Sequence, residues 1–390
     1  MKLKNILFQA CALAGGTIIL SSCNDFLDRE PLSSVTPEVY FSTTDHFEAY
    51  SIAKYNNWFS SHAGYGMGIG NGDGGTDNAV SGGYNSTLYE KGAWKVPQSG
   101  GGWSFNDIRY CNYFFENAVP KYEAGQVSGS AADIEHYIGE MHFMRAWIYF
   151  SYLRKFGDYP IITEVLPDDK AVLMEKSVRQ PRNLVARFIL EDLDKAISML
   201  KGWGFASNNR INKETALLVK SRVALYEATF EKYHKGTGRV PGDANWPGKK
   251  VHPNFTLDVD KEVDFFLTQA LEAAEQVADK VTLTQNTGVA DPETISTTSG
   301  WNPYFEMFAS LDLSKNSEVL LWRSYAKTGS YSITHGAPAW VQSGSNNGLL
   351  KTYVESFLMK DGMPWYAATT SAPYMGDKTL DDVKTNRDDR

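Results

Sequence analysis

The chain has 390 residues, of which 42% are hydrophobic and 13% aromatic, so it is long and apolar enough to bury a large core. Its formal net charge of −8 argues against a nucleic-acid partner, because neutralising phosphates requires a basic surface.

The N-terminus predicts a targeting segment. Two lysines within the first four residues precede an uncharged stretch, residues 6–20, which falls short of the roughly 18 to 20 apolar residues that span a bilayer. The stretch ends in Leu20-Ser21-Ser22-Cys23, which resembles a bacterial lipobox. We therefore expect residues 1–22 to be a lipoprotein signal peptide and Cys23 to carry lipid that anchors the chain to a membrane. The alternative is an ordinary secretory peptide in which Cys23 is incidental.

With Cys11 in the signal peptide and Cys23 lipidated, Cys111 is the remaining thiol, and neither an internal disulfide nor a zinc site is expected. Residues 23–44 are expected to form a lipidated tether and N-terminal segment. Asp45, followed three residues later by Glu48, predicts the start of a helix that runs to about residue 59. Residues 62–102 are dominated by Gly, Asn and Ser and predict a long loop.

Residues 45–295 are expected to form a helical scaffold. Four windows carry apolar residues at helical spacing: residues 133–156, 184–200, 213–231 and 260–279. Asn212 is expected to cap the third of these helices, and Ser221, Ala224 and Ala228 to form a small face that a neighbouring helix can approach closely. Their large and small packing faces, spaced loosely like repeats of about 34 residues, favour tetratricopeptide-like hairpins stacked on one another. The helical pattern fades from residue 296. The predicted fold is therefore mainly α, with a loop-rich, irregular C-terminal part over residues 296–390.

The motifs that usually carry chemistry are weak in this chain. Residues 70–75 match the dinucleotide fingerprint by letter but lack a preceding buried strand and a following helix. Asn71, Asp73 and Asp77 alternate in the same stretch and suggest a structural calcium as an alternative, although the bidentate Glu of the twelve-residue calcium loop is missing. A tight glycine turn is the favoured interpretation. No cofactor is expected, and no motif selects a catalytic pair among the many carboxylates.

Residues 140–150 (EMHFMRAWIYF), followed by residues 156–160 (FGDYP), resemble the signature helix of the SusD/RagB family of nutrient-binding lipoproteins of Bacteroidota. Further elements occur in the family's order from the lipobox onward: Pro37 with Tyr40 and Phe41, residues 75–78 (GTDN), Trp103 with residues 108–112 (IRYCN), residues 210–213 (RINK) ahead of residues 222–226 (RVALY), and residues 318–320 (EVL). The resemblance covers nearly the whole chain after Cys23.

This resemblance implies a SusD-like scaffold on the outer membrane, facing the cell exterior, which binds oligosaccharide and delivers it to a SusC-type TonB-dependent transporter. Such a protein is not an enzyme. Residues 386–390 resemble an element that the family follows with further helices, so we expect the C-terminal portion to be truncated. The alternatives are a peptide-binding member of the same family, a surface glycoside hydrolase, and a helical adaptor without a ligand.

In the family, ligand-binding aromatics come from the loop after the Gly-Thr-Asp element and from the loops ahead of the segment that matches residues 353–357. The residues that these windows offer as ligand contacts are Asn78, Tyr84, Asn85, Trp94, Tyr331, Trp340 and Asn346. For each ring, packing beneath a loop is an equally good alternative to ligand contact. Trp103, Trp147 and Trp322 are expected in the core, because they lie within periodic apolar stretches.

Overall fold

The computed structural model describes residues 37–59, 76–80, 87, 90–95, 102, 104–287, 302–308, 310, 312–326, 332, 348–360, 362–364, 366 and 381. The fold of this part is mainly α, as predicted. Its α-helices are α1 (Pro37–Tyr40), α2 (Thr44–Ile52), α3 (Tyr55–Trp58), α4 (Asn106–Asn117), α5 (Val119–Glu123), α6 (Ala131–Phe156), α7 (Lys170–Lys176), α8 (Arg182–Met199), α9 (Lys213–His234), α10 (Val259–Ala278), α11 (Pro303–Phe308) and α12 (Lys351–Ser356). Short 3₁₀ turns span Phe205–Asn208, Pro247–Lys250 and Leu313–Lys315, and the strands are β1 (Ala79–Val80) and β2 (Gly348–Leu349).

Helix α6 lies at the centre of the scaffold. The Ser130 side chain accepts a hydrogen bond from the Asp133 amide at its start, and Gly157, with φ of 69°, ends it in the left-handed region. Helices α2, α4 and α8 pack against α6, which explains why residues around most of its circumference are buried. A Cβ at Gly139 would lie 3.1 Å from the Leu200 side chain, a tight contact, so the absence of a side chain lets the end of α8 approach α6 closely.

Helices α6, α8, α9 and α10 form consecutive antiparallel pairs, which confirms the predicted helical hairpins. Side chains near the start of one helix contact side chains near the end of the next, and residues in mid-helix contact one another. The contacts that fix these directions are Lys201–Asp133 and Arg145–Asp192 between α8 and α6, Arg182–Glu227 and Lys220–Asp194 between α8 and α9, and Lys235–Asp260 and Lys280–Glu214 between α9 and α10. Cys111 is buried and free.

The N-terminal helix differs from its prediction. In place of one helix over residues 45–59, α2 begins at Thr44 and ends at Ile52, and α3 follows after a break. Helix α2 is joined to α4 by a reciprocal pair in which each of Tyr50 and Tyr110 donates its hydroxyl proton to the other's carbonyl, at 3.0 and 2.8 Å. The break turns Tyr55 toward α6, and this orientation shapes the site described below.

The segment predicted as loop over residues 62–102 contains strand β1, which pairs antiparallel with β2, joining Ala79 to Leu349 and Val80 to Gly348. Local composition could not predict β1, because its partner strand is far away in the chain. The described residues of the C-terminal part form short helices and turns, as expected for an irregular region. Among the helices described, none is long and apolar enough to cross a membrane.

Candidate functional site

A cleft of about 450 Å³ lies where the helical scaffold meets the C-terminal part. We call it the junction cleft. Its described lining comes from the α2–α3 region, from the turn that precedes α9 and from an extended segment after residue 320. The lining residues are Ile52, Tyr55, Asn56, Phe59, Asn209, Arg210, Leu321, Trp322, Arg323 and Ser324.

One wall of the junction cleft rests on a left-handed turn. Ala206, Ser207 and Asn208 have φ of 47°, 52° and 61°, which costs non-glycine residues about 1–2 kcal/mol each. The turn presents two carbonyls to Trp322. The indole Nε1 donates to the Ser207 carbonyl at 2.7 Å, and the Trp322 amide donates to the Asn208 carbonyl at 3.1 Å. These two hydrogen bonds hold Trp322 in the cleft wall, and the rest of the structure offsets the backbone strain of the turn that accepts them.

The C-terminal segment is held by the same residue that starts helix α9. Asn212 Oδ1 accepts from the Thr215 amide at 2.9 Å as the predicted cap, and its Nδ2 donates to the Leu320 carbonyl at 2.7 Å. Asn212 is fully buried. One amide side chain thus couples the start of α9 to the segment that carries Trp322 and Arg323.

The floor of the junction cleft is a buried charged network. Arg210 Nε and Nη2 donate to the two carboxylate oxygens of Glu140 at 2.9 and 2.5 Å, and Nη1 donates to Glu48 at 3.0 Å. The Tyr55 hydroxyl donates to Glu140 at 2.6 Å, and Ser51 donates to it at 2.8 Å. Because Tyr55 donates to a carboxylate that Arg210 and Ser51 also hold, the network fixes the position of Tyr55 at the cleft surface.

The network holds Glu140 ionised. Burial alone would raise the pKa of this carboxyl, but hydrogen bonds from His136 and Arg210 lower the pKa to about 2. His136 Nδ1 accepts from the Lys201 amide at 3.1 Å, so the ring proton is on Nε2, which lies 3.3 Å from Glu140. Burial and the neighbouring Glu140 raise the pKa of Tyr55 well above its usual value. The floor is therefore a fixed, charged support.

The upper part of the cleft combines ring faces with polar edges. Tyr55 and Phe59 pack edge to face with centroids 5.5 Å apart, and Trp322 contributes a third ring to the lining. Arg323 donates to the Asn56 side-chain oxygen at 2.6 Å across the cleft. Aromatic faces beside amide and guanidinium groups suit a ligand with C–H faces and hydroxyls, such as a sugar.

The prediction that Trp322 belongs to the core is wrong: it is half-buried and lines the cleft. The apolar run that contains Trp322 lies where the scaffold meets the C-terminal part. In the sequence, such a run cannot be distinguished from a strand in the core. Trp147 is half-buried and packs against the core, with its ring 6.3 Å from Phe143. Trp103 lies outside the described residues. The predicted ligand contacts did not include Tyr55 or Phe59, because they were assigned to an ordinary amphipathic helix.

Two of the predicted ligand contacts are described. The Asn78 carbonyl accepts from the Leu350 amide at 2.9 Å, beside the β1–β2 pair, and Trp94 is 69% exposed on a turn. Neither belongs to the described cleft lining. Tyr84, Asn85, Tyr331, Trp340 and Asn346 lie outside the described residues, as does Cys23.

The calcium alternative stays a prediction. Asn71 and Asp73 lie outside the described residues, and Asp77 is exposed. Within the part of the chain that the structure describes, no group of three or more His, Cys, Asp or Glu side chains could hold a metal ion.

No protein-family model matches the chain, and no curated protein matches it. Solved structures do. A SusD-like protein from Bacteroides fragilis is similar at 19% identity with a TM-score of 0.53, over 86% of this chain and 57% of that one. A SusD-like carbohydrate-binding protein from the same species is similar at 15% identity with a TM-score of 0.52, over 85% and 56%.

The helical hairpins and the irregular part that closes on them define a helical-repeat scaffold with a cleft at its edge. The chain has the SusD-like fold, and the resemblance found in the sequence is confirmed at the level of the fold. The chain spans a little over half the length of these two solved proteins.

Proposed function

We propose that this chain is a SusD/RagB-type lipoprotein, anchored through Cys23 at the outer membrane, that binds oligosaccharide and passes it to a SusC-type TonB-dependent transporter. The observation that carries the proposal is the junction cleft, with the rings of Tyr55, Phe59 and Trp322 beside the polar groups of Asn56 and Arg323. The SusD-like fold and the carbohydrate-binding description of one similar structure support it. The windows that contain Tyr84 and Asn346 remain the proposed second contact region.

A glycoside hydrolase is the alternative from another class. Such an enzyme needs a carboxylic acid whose pKa is raised so that it can protonate the leaving oxygen. The described lining residues of the cleft include no carboxylate, and the acid beneath them, Glu140, has its pKa lowered to about 2. The geometry of the cleft therefore favours binding over hydrolysis.

The test is calorimetry of the purified protein against a panel of polysaccharides and peptides, with analysis of reducing ends alongside. We expect saturable glycan binding, no new reducing ends, and affinity about tenfold weaker in Trp322→Ala, from the loss of stacking and apolar contact. The matched control is Tyr233→Ala, an exposed aromatic (73%) on α9 outside the cleft lining, which should bind normally. Steady release of reducing ends, or binding of peptides alone, would replace this function with one of its alternatives.

A further inference from the structure

The charged residues among the described lining of the junction cleft are of one sign. Arg210 and Arg323 are both lining residues, and no Asp or Glu is present among the described lining residues. This is unusual for a protein whose net charge is −8. The two guanidinium groups differ in whether the protein itself neutralises them.

Arg210 is neutralised. Its guanidinium makes a two-point contact with the buried Glu140 and a third with Glu48. Its remaining contacts are also internal, since Nη2 donates to Ser51 at 2.9 Å and the guanidinium carbon lies 4.9 Å from the Tyr137 ring centroid. Arg210 therefore supports the floor and has no charge left to offer a ligand.

Arg323 is different. It is half-buried, one of its N–H groups donates to the neutral Asn56 amide at 2.6 Å, and its guanidinium carbon lies 5.4 Å from the centroid of the Tyr325 ring. The ion pairs formed among the described residues do not include Arg323, and it has no further partner there. A guanidinium has five donors in a planar fork, so most of the donors of this cleft-lining residue lack a counter-charge among the described residues.

A partly desolvated guanidinium without a negatively charged partner carries a desolvation cost. A ligand that brings a negative charge offsets this cost. Carboxylates and sulfate esters both match the guanidinium fork with two parallel hydrogen bonds. The adjacent Asn56 amide and the Trp322 ring can hold the hydroxyls and the C–H face of the same sugar unit. The charge and the ring lie on neighbouring residues of one segment, and that segment is fixed to the scaffold through Asn212.

We propose that the junction cleft binds an acidic oligosaccharide, whose carboxylate or sulfate ester pairs with Arg323 while the attached sugar ring packs against the cleft aromatics. This rests on the proposed function, because it specifies the class of glycan that the same site takes.

The test compares charged polysaccharides with their neutralised forms by calorimetry on the purified protein. Polygalacturonate is paired with its methyl ester and alginate with its carboxyl-reduced form, and these pairs test recognition of the carboxylate. Chondroitin sulfate is paired with desulfated chondroitin, which keeps its carboxylates, so this pair tests recognition of the sulfate ester. Laminarin, xylan and starch provide neutral glycans. We expect at least one acidic polymer to bind about tenfold or more tightly than its neutralised form, with affinity that falls as salt is added.

The variant Arg323→Gln should abolish the preference for the charged form, and Arg323→Lys should retain part of it as a point charge. The matched control is Arg222→Gln, which removes the same charge from an exposed position on α9 outside the cleft lining and should bind like the original protein. Thermal unfolding of each variant checks that folding is unchanged.

The outcomes separate the two proposals. Tight binding of neutral glycans that Arg323→Gln leaves unchanged would overturn the acidic ligand and leave the glycan-binding function standing. An acidic preference that survives in Arg323→Gln would also overturn the assignment to this site. Absence of binding to every acidic and neutral polymer would overturn both.

Discussion

Individual arginines account for much of how the scaffold is held. Arg145, Arg182 and Arg210 are each buried, and each makes a two-point contact with one carboxylate from another helix. Arg182 also lies 3.2 Å from the centroid of the Phe230 ring. Planar guanidinium groups suit such pairs better than lysines do. The sequence could place Arg145 in a signature helix, but it could not pair any arginine with its acid, because the partners are distant in the chain.

We expect Glu140→Gln to destabilise the protein at pH 7 by about 3–5 kcal/mol, because it leaves the buried Arg210 without its counter-charge. The folded pKa of Glu140 is about 2 and its usual pKa is 4.5. The contribution of this group, about 3 kcal/mol, is therefore present above pH 4.5 and is lost as the pH falls toward 2. Urea unfolding between pH 7 and pH 3, followed by tryptophan fluorescence, measures this.

The free energy of unfolding of Glu140→Gln should not show this loss as the pH falls from 4.5 toward 2. The matched control is Glu191→Gln on the exposed face of α8, which should change neither the stability nor its pH dependence by more than about 0.5 kcal/mol. An equal slope with pH in Glu140→Gln and in the original protein would show that Glu140 is not ionised by the network.

At the scale of elements, the long helices were predictable because their apolar periodicity and end signals agree. Asn212 is a cap in both the prediction and the structure, and Ala224 and Ala228 form the expected small face of α9. The break between α2 and α3 and the left-handed turn at residues 206–208 were not predictable. Both depend on contacts with distant side chains. Neither contains a proline that would mark it in the sequence, and no glycine stands at residues 206–208, where φ is positive.

Where α8, α9 and α10 pack together, three buried glutamates have only two arginines to pair with among the described residues. Glu227 pairs with Arg182 and Glu262 with Arg187, while both carboxyl oxygens of Glu231 are buried without a hydrogen-bond partner among the described residues. Burial, with Glu227 and Glu262 nearby, raises the pKa of Glu231 to about 9. The side chain is therefore protonated at neutral pH.

For a carboxyl whose folded pKa is raised, stability is greatest below the unfolded pKa of 4.5 and falls as the pH rises toward 9. We expect Glu231→Gln to increase stability by on the order of 3 kcal/mol at pH 8 and to have little effect near pH 4. The contrasting variant is Glu227→Gln, one helical turn earlier, which should be destabilising because Arg182 loses its partner. Chemical unfolding at the two pH values measures both. Destabilisation by Glu231→Gln at pH 8 would contradict the protonated state.

For the whole molecule, the fold could be predicted because it depends on repeated local patterns and on a signature helix. The candidate site could not. It forms where residues 52–59, 209–210 and 321–324 meet, and no local motif links these positions. The bonds described between the scaffold and the segment after residue 320 are few, chiefly those from Asn212, Trp322 and Arg323.

Ligand binding in the junction cleft should therefore stabilise the contacts between the scaffold and the segment after residue 320 more than it stabilises the scaffold itself. We expect the amide of Trp322 to exchange hydrogen at least about tenfold more slowly with saturating glycan, because the ligand stabilises the docked state of the segment. The amides in the middle of α6 should change little. Hydrogen exchange measured by mass spectrometry tests this, and equal protection in both regions would place the ligand elsewhere.

The pairing of β1 with β2 also sets an order in time. The two strands lie far apart in the chain, so bringing them together costs more loop-closure entropy than forming contacts between neighbouring helices. We therefore expect the helices that lie between the two strands to pack before the strands pair. At two residues, β1 is too short to offer a stable template to other chains. The region around the strand pair is consequently among the last parts of the protein to form, on a scaffold that is already folded.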